Sequence, residues 1–295
     1  MGEASDGSSS LQRGSSAGGS GKGFLYALAA FFCWGVFPVY FKAVGSVDML
    51  EVLAHRVTWS AVLLVAFLAW RGRAAELVAV LRSRERLRPL YLTTILIASN
   101  WLIFIWAIGR GQLLQCSLGY FINPLVHVLL GCTVLSERLR PWQKISVLVT
   151  AGGVAYLTAA AGTFPAVAIL LALTFGLYAL IRKMARVDSV VGLATETVLL
   201  APISAGYVVW LMLRGEAAFG GTWDHLDWLL LAAGVVTSLP LLWFVNAARL
   251  LPLSRVGLMQ YIAPTLQFLL AVLAYREPFT RAHLVSFGLV WTGLA

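Results

Sequence analysis

Charged side chains are scarce in this sequence, and acidic ones are the scarcest. Only 12% of the 295 residues are Asp, Glu, Lys or Arg, about half the share of an ordinary soluble domain, and 13 of them are acidic. Hydrophobic residues instead make up 60% of the chain, and the mean hydropathy is +0.83. This composition excludes a soluble globular protein and indicates a protein whose solvent is the lipid bilayer.

Cysteine is also rare. Cys33, Cys116 and Cys132 lie inside apolar runs and form neither a CxxC pair nor a metal-ligand pattern with histidine. We therefore expect no disulfide framework, no metal site and no cofactor. The net charge is +9, but the basic residues occupy short gaps between apolar runs, so nucleic acid is not an expected partner.

The first 23 residues are rich in Gly and Ser and have no apolar centre. This composition predicts a disordered tail over residues 1–23 rather than a cleaved signal peptide. The segment GGSGKG within it lacks the Ser or Thr that follows the lysine of a phosphate-binding loop, and no strand precedes it. A nucleotide site is therefore not expected.

Apolar runs long enough to cross a bilayer core about 30 Å thick fill the rest of the chain. Nine runs are complete, and they lie near residues 24–42, 52–70, 90–108, 112–135, 145–161, 165–181, 192–213, 226–248 and 256–275. A tenth begins near His283 and stops at Ala295, too early to cross the core. We expect an all-α polytopic membrane protein with ten transmembrane helices, the tenth truncated in this sequence.

Basic residues are distributed unevenly between the two predicted sides of the membrane. Sixteen of the 22 Lys and Arg residues flank the runs on one side, five lie on the other side, and Arg56 lies within a run. Flanking positive charge resists translocation, so the richer side, which includes the N-terminus, is predicted to be cytoplasmic.

The two halves of the chain repeat with an offset of 140 residues. Pro124 matches Pro264, and Glu137 matches Glu277, among many apolar identities. Five spans per copy is an odd number, so the second copy must enter the membrane from the opposite side. Such inverted repeats are typical of transporters that work by alternating access. We expect the first repeat at 24–161 and the second at 165–295.

Ionisable side chains inside the predicted spans are candidate functional groups, because placing them in hydrocarbon is costly. Arg56 is expected to bind an anionic substrate group or a buried carboxylate, and Glu196 is the candidate for that carboxylate or for proton coupling. The alternative is that both side chains snorkel to the interface. His55 titrates near neutral pH in its ordinary state, but it is equally suited to an interfacial hydrogen bond.

Two proline-containing spans carry polar side chains that are expected to line a central site. Pro124 and Pro264 each remove a backbone hydrogen bond and predict a kink or hinge. The polar and aromatic candidates near them and in neighbouring spans are Asn100, Trp101, Tyr120, Asn123, Tyr178, Gln260 and Tyr261. The alternative is that these residues only hold helices together or face lipid.

The sequence resembles the RarD proteins of the drug/metabolite transporter superfamily, within its EamA group. The resemblance rests on LAAFFCWGVFPVYFK from Leu28, NWLIFIWA from Asn100, SLGYFINPL from Ser117, ETVLLAP from Glu196 and QYIAPTLQFLLAV from Gln260. It implies two five-helix EamA repeats, cytoplasmic termini and secondary transport across the bacterial inner membrane. RarD proteins are associated by name with chloramphenicol sensitivity or resistance, and related EamA members export amino acids and other metabolites.

The function expected from these observations is a permease that exports small amphipathic metabolites or drugs, amino-acid-like or chloramphenicol-type, with protons as the expected coupling ion. A non-transporting membrane sensor or scaffold with the same fold is the alternative. A membrane-embedded enzyme is not expected, because the four histidines lie in different segments, no HExxH motif occurs and carboxylates are sparse. Small residues at 151–155 fit internal packing or a homodimer equally well.

Overall fold

A computed structural model of the chain describes residues 7–110, 112–160, 164–221 and 223–274, together with 285, 288–289 and 291–292. Over these residues the protein is helical and contains no strand. Most of the predicted tenth span and Glu277 lie outside the described residues.

The described helices follow the predicted apolar runs closely. They are α1 Gly7–Ala43, α2 Met49–Trp70, α3 Ala74–Arg82, α4 Arg84–Gly109, α5 Leu113–Thr133, α6 Pro141–Ala160, α7 Ala166–Met184, α8 Ser189–Arg214, α9 His225–Leu250, α10 Leu253–Gln260 and α11 Ile262–Leu269. A π-helical turn, Leu270–Ala274, continues α11.

Seven helical segments in the described part of the chain are long and apolar enough to cross a membrane. They are Ser20–Ala43 of α1, the whole of α2, the segment Arg84–Ile108 of α4, the whole of α7, α8 and α9, and the segment Leu253–Ala274 that contains α10 and α11. Helix α5 contributes a shorter apolar stretch, Leu118–Thr133. The protein is therefore a multi-pass helical membrane protein, whereas the count of ten spans stays a prediction.

Two local features differ from the sequence expectation. Helix α1 begins at Gly7, inside the segment predicted to be a disordered tail, because a helix extends from an existing span more easily than it nucleates alone. The arginine-rich connection after α2 contains the short helix α3, which buries Leu77 and Val80 three residues apart on one face.

Two helices of the bundle begin with the same cap at an interval of 140 residues. The side chain of Asp48 accepts hydrogen bonds from the first turn of α2, and that of Asp188 accepts them from the first turn of α8. An Asp at this position satisfies backbone nitrogens that have no partner within the helix. Helices α5 and α10 also begin 140 residues apart, at Leu113 and Leu253.

Contacts between helix termini define two ends of the bundle. At one end, Arg73 lies 3.2 Å from Asp188, and Arg249 donates to the carbonyl of Val187. We call it the basic end; α2, α5, α7 and α9 finish there, and α4, α8 and α10 begin there. At the opposite end, the Glu51 carboxylate accepts a hydrogen bond of 2.8 Å from the backbone nitrogen of Ala218.

The largest buried cluster lies at the basic end. Its fully buried members come from α1, α2, α4, α7, α8, α9 and α10, and they include Phe31, Leu68, Leu90, Phe244 and Leu253. These buried side chains pack against one another and fill this end of the bundle.

Candidate functional site

A cavity of about 360 Å³ lies among the helices, away from the sealed basic end. Helices α1, α2, α4, α5, α7, α9, α10 and α11 contribute to its walls. The lining residues are Trp34, Phe37, Pro38, Phe41, Met49, Arg56, Ile97, Asn100, Trp101, Phe104, Ile108, Cys116, Gly119, Tyr120, Asn123, Leu171, Phe175, Thr237, Leu241, Gln260, Ala263, Pro264 and Gln267.

The cavity is placed asymmetrically along the bundle. Phe41, Met49 and Ile108 line it within two residues of helix termini at the opposite end. Toward the basic end, its walls stop at Leu241, nine residues before the last residue of α9, and at Gln260, seven residues after the first residue of α10. Seven helical residues span about 10 Å, so a thick packed layer separates the cavity from the basic end.

Arg56 projects from the third turn of α2 into this cavity. Its Nε donates a hydrogen bond of 2.9 Å to Thr237 Oγ1 on α9. The guanidinium carbon lies 5.3 Å from the ring of Trp101 on α4 and 5.6 Å from the ring of Phe41 on α1. Arg56 is therefore held by a neutral hydroxyl and two aromatic faces, an arrangement suited to a cation.

Four amide side chains add hydrogen-bonding groups to the same walls. Asn100 uses its amide nitrogen in two bonds of 2.8 Å, to the Leu171 carbonyl and the Thr174 hydroxyl of α7. Gln267 donates to the Trp34 carbonyl. The buried oxygens Asn123 Oδ1 and Gln260 Oε1 have no hydrogen-bond partner among the described residues. The Gln260 side chain also interacts with the imidazole of His127.

Aromatic rings cover one side of the cavity. Trp34 packs against Phe175 at 5.7 Å and Phe244 at 5.4 Å between ring centroids. Tyr120 meets Phe104 edge to face at 6.3 Å. These flat apolar walls around few polar groups are typical of a binding site for a small amphipathic molecule.

Glu196 lies outside the cavity lining, in a buried polar cluster at the basic end. Arg182 Nε lies 3.5 Å from Glu196 Oε1, and both side chains are 1% exposed. Thr93 donates to Glu196 Oε1 at 2.5 Å, and Tyr178 donates to Oε2 at 3.3 Å. Of the alternatives predicted for Arg56, the one in which Glu196 is its carboxylate partner is therefore wrong. From the sequence, Arg182 counts only among the basic residues flanking a span.

Gly192 makes room for this ion pair. A Cβ atom at Gly192 would overlap the guanidinium of Arg182. Arg182 also donates through Nη2 to the Ser189 carbonyl, while its Nη1 has no hydrogen-bond partner in the described chain. Tyr178, which belongs to this cluster, stacks on Phe175 with 5.9 Å between ring centroids. Phe175 lines the cavity, so it is the side chain that lies between the cluster and the cavity.

His55 and Tyr261 are also absent from the cavity lining. His55 accepts a hydrogen bond from Trp59 Nε1 through Nδ1 and packs on Phe219 at 4.8 Å, which ties α2 to the segment before α9. The Tyr261 hydroxyl donates to the Phe121 carbonyl at 2.8 Å and joins α5 to the start of α11. Both side chains are held by packing partners, while the buried Nε2 of His55 lies 3.8 Å from Glu51 Oε1 without a hydrogen bond in the described residues.

The two prolines differ in their surroundings. The helix is interrupted at Tyr261, three residues before Pro264, and Pro264 lines the cavity. Helix α5 continues through Pro124 without a break in its assignment, and Pro124 is not a lining residue. The carbonyl of Pro124 instead faces Gly257, where a Cβ atom would come within 2.6 Å of it.

Comparison with known proteins identifies the family. A family model described as the EamA-like transporter family matches residues 21–159. A Vibrio cholerae protein named "Uncharacterized transporter" is 46% identical, with 92% of this chain and 90% of that protein covered. Protein RarD of Escherichia coli is 40% identical, with 93% of each chain covered. The chain belongs to the RarD proteins of the EamA-like transporter family.

Two further matches extend this result. The Pseudomonas aeruginosa protein named "Chloramphenicol-sensitive protein RarD" is 33% identical, with 92% of each chain covered. One crystal structure superposes with a TM-score of 0.69 at 21% identity, covering 92% of this chain and 96% of the other. At that identity the structural match shows a shared fold alone.

Family membership settles the broad function. This RarD protein is a multi-pass bacterial membrane transporter that acts on a small molecule, and it is not an enzyme. Among the described residues, no group of three or more His, Cys, Asp or Glu side chains is arranged to hold a metal ion.

Six of the predicted candidates line the cavity of this RarD protein: Arg56, Asn100, Trp101, Tyr120, Asn123 and Gln260. Thr237, Phe175 and Gln267 line it as well, but sequence reasoning missed them. Gln267 is the one with a signal, since it lies three residues after Pro264 and therefore near its face of the helix. Thr237 and Phe175 have no such marker, because they sit in ordinary apolar spans.

Proposed function

We propose that this RarD protein is a secondary transporter that exports small amphipathic molecules, amino-acid-like or chloramphenicol-type, by alternating access. The observation that carries the proposal is the aromatic cavity around Arg56, which is walled off from the basic end by a packed layer. A site enclosed on one side and approached from the other is one of the two states that alternating access requires.

The proposed second state follows from an inverted repeat. The shared Asp caps of α2 and α8, and the equal spacing of α5 and α10, support a pair of related halves. Helices α2 and α8 begin at opposite ends of the bundle, as inverted copies would. Exchange of conformation between the halves would seal the opposite end and expose the cavity at the basic end.

We place the basic end in the cytoplasm of the bacterial cell, with the N-terminus on the same side. The support is the excess of Lys and Arg on that side. In this orientation the cavity reaches toward the outside, as expected for an exporter that has just released its cargo. A homodimer stays a prediction.

Proton coupling is proposed to act through Glu196. Glu196 is buried beside Arg182, and Tyr178 and Phe175 connect it to the cavity wall. Protonation of Glu196 would remove the partner of Arg182 and weaken a contact between α7 and α8 at the sealed end. Coupling would thus work through closure of the basic end and not through contact with the substrate.

The test is flux from proteoliposomes loaded with a mixture of amino acids, nucleosides and amphenicol drugs, under an imposed proton gradient, with loss of each compound measured by mass spectrometry. Selective loss of one class, relative to empty liposomes, is expected. Loss of no compound class would contradict the transport proposal.

The coupling proposal is tested with Glu196→Gln, and Glu216→Gln, an exposed residue at the opposite end, is the matched control. We expect Glu196→Gln to abolish gradient-driven loss while exchange without a gradient persists. Unchanged gradient-driven loss in Glu196→Gln would refute proton coupling through this residue, with transport itself intact.

A further inference from the structure

The charge of the cavity wall is unbalanced. Arg56 is the one formally charged side chain among the described lining residues, and no Asp or Glu lines the cavity with it. Its hydrogen-bond partner, Thr237, is neutral, as are the aromatic rings of Trp101 and Phe41 beside it. The site therefore carries one positive charge without a protein counter-charge.

The other enclosed ionic groups of the bundle do have partners. Arg182 pairs with Glu196, and Lys183 donates to two carbonyl oxygens at the end of α9, at 2.5 and 2.6 Å. In the described residues no carboxylate lies within ion-pair distance of Arg56. Because an unpaired charge in an apolar enclosure is costly, a bound anion would supply what the protein leaves out.

The remaining polar groups suit a neutral donor. Asn100, Asn123 and Gln260 line the cavity with neutral amide side chains. Amide oxygens accept from a hydroxyl or an N–H group without adding charge. A ligand ammonium would find no carboxylate on these walls and would leave the charge of Arg56 uncompensated overall.

Resting on the proposed function, we propose that the cavity selects monoanionic aromatic molecules, with the carboxylate on Arg56 and an uncharged donor toward Asn123 and Gln260. Within the proposed class of small amphipathic molecules, this favours those that share the ring and carboxylate of an amino acid but lack its ammonium group, and it disfavours zwitterions and cations with the same aromatic body. The volume of about 360 Å³ suits a single ring with a short side chain.

The test is a binding series that shares one phenyl body and differs in charge: phenyllactate and 3-phenylpropionate as monoanions, phenylalanine as a zwitterion and phenylethylamine as a cation. Binding to the purified protein in nanodiscs is measured by isothermal titration calorimetry at pH 7. We expect phenyllactate to bind at least tenfold more tightly than phenylalanine or phenylethylamine. Phenylpropionate, which lacks the hydroxyl donor, is expected between them.

The variants assign this preference to Arg56. Arg56→Gln is expected to reduce the difference between phenyllactate and phenylalanine to about twofold, and Arg56→Lys to keep part of it, since charge remains but the planar fork is lost. Arg71→Gln, at the basic end outside the cavity, is the matched control and should leave the series unchanged. Should Arg56→Gln fail to fold, Thr237→Val removes the acceptor that orients Arg56 and should weaken the preference severalfold.

Three outcomes would overturn the proposal: binding of phenylalanine as tight as that of phenyllactate, a preference that survives in Arg56→Gln, or no binding of any monoanion. Binding and flux separate this proposal from the transport proposal. If the ligands bind in the predicted order but no flux is seen, the selectivity proposal is supported and the transport proposal is refuted. If flux is seen but monoanions are not preferred, the transport proposal is supported and the selectivity proposal is refuted.

Discussion

Glu137 accepts two hydrogen bonds from Ser254, one from its backbone nitrogen at 2.8 Å and one from its hydroxyl at 2.7 Å. The other carboxylate oxygen accepts from the backbone nitrogen of Leu253 at 2.6 Å. The segment after α5 thereby caps the first turn of α10, a helix 116 residues further along the chain. A carboxylate at a helix N-terminus accepts hydrogen bonds from backbone N–H groups that have no partner within the helix, and its negative charge interacts favourably with the helix dipole.

Replacing Glu137 with Gln is expected to weaken closure of the basic end. The amide keeps a single acceptor oxygen, so at least one donor in the first turn of α10 loses its partner. We expect a loss of about 1–3 kcal/mol in the free energy of unfolding, measured by denaturant titration of the purified protein. A second readout is the reaction of Cys132, in the last turn of α5, with a maleimide in a background where Cys33 and Cys116 are replaced by Ser. In that background, Cys132 should react faster in Glu137→Gln than in the parent protein.

Glu216→Gln is the control for this experiment, because Glu216 is exposed at the opposite end and pairs with Arg214 at 3.8 Å. Its effect should stay within about 0.5 kcal/mol. Equal stability and equal Cys132 reactivity in Glu137→Gln and Glu216→Gln would show that the Glu137 cap does not hold the basic end closed.

Arg182 and Glu196 are expected to depend on each other energetically. Arg182→Met leaves the Glu196 carboxylate buried without a cation, which typically costs about 3–5 kcal/mol. Adding Glu196→Gln removes that unpaired charge, so the double variant should be more stable than Arg182→Met alone. The thermal midpoints of the parent protein, Arg182→Met, Glu196→Gln and the double variant, measured in one detergent, test this. Arg186→Met, four residues away and exposed, is the control, and losses that simply add would contradict coupling.

Sequence periodicity and composition predicted the helical framework well, because apolar runs of about 20 residues are strongly constrained by bilayer thickness. It also predicted part of the cavity: Arg56, Asn100 and Gln260 stand out as polar groups in apolar spans. The short helix α3 was missed, since its two buried residues form too brief a pattern among many arginines.

Pairing was harder to predict than position. Arg182 lies two residues from the end of α7 and reads as a flanking charge, yet it is fully buried against Glu196. Which arginine reaches Glu196 depends on how the Arg182 side chain extends from α7 to α8 and on the space above Gly192. Neither the path of that side chain nor the space above Gly192 can be predicted from hydrophobic periodicity. The sequence therefore offers no reason to prefer Arg182 over Arg56 as the partner of Glu196.

Tyr261 is expected to act in packing and not in substrate binding. Tyr261→Phe removes the hydrogen bond to the Phe121 carbonyl inside a site that is 1% exposed, and should lower the free energy of unfolding by about 1 kcal/mol. Ligand affinity should stay within twofold of the parent protein, by the calorimetric series above. Tyr91→Phe, at an exposed position on α4, is the control. A large loss of affinity with unchanged stability would place Tyr261 in the site instead.

Gly257 allows α10 to approach α5 beside Pro124, which lies inside the unbroken helix α5. A Cβ atom at Gly257 would lie 2.6 Å from the Pro124 carbonyl oxygen and 2.9 Å from the Cβ atom of His127. Neither contact belongs to a flexible side-chain end, so Gly257→Ala must push the two helices apart, at a cost of about 1–3 kcal/mol.

Gly206→Ala is the matched control for Gly257→Ala, because a Cβ atom on that face of α8 meets nothing within 4 Å. It should be neutral or slightly stabilising, since Ala favours helix more than Gly does. The thermal midpoints of both variants in the same detergent decide the matter. If Gly257→Ala unfolds at the same temperature as Gly206→Ala, the close approach of α10 to α5 is not required for the packed bundle. If only Gly257→Ala is destabilised, the close approach of α10 to α5 contributes to the stability of the packed bundle.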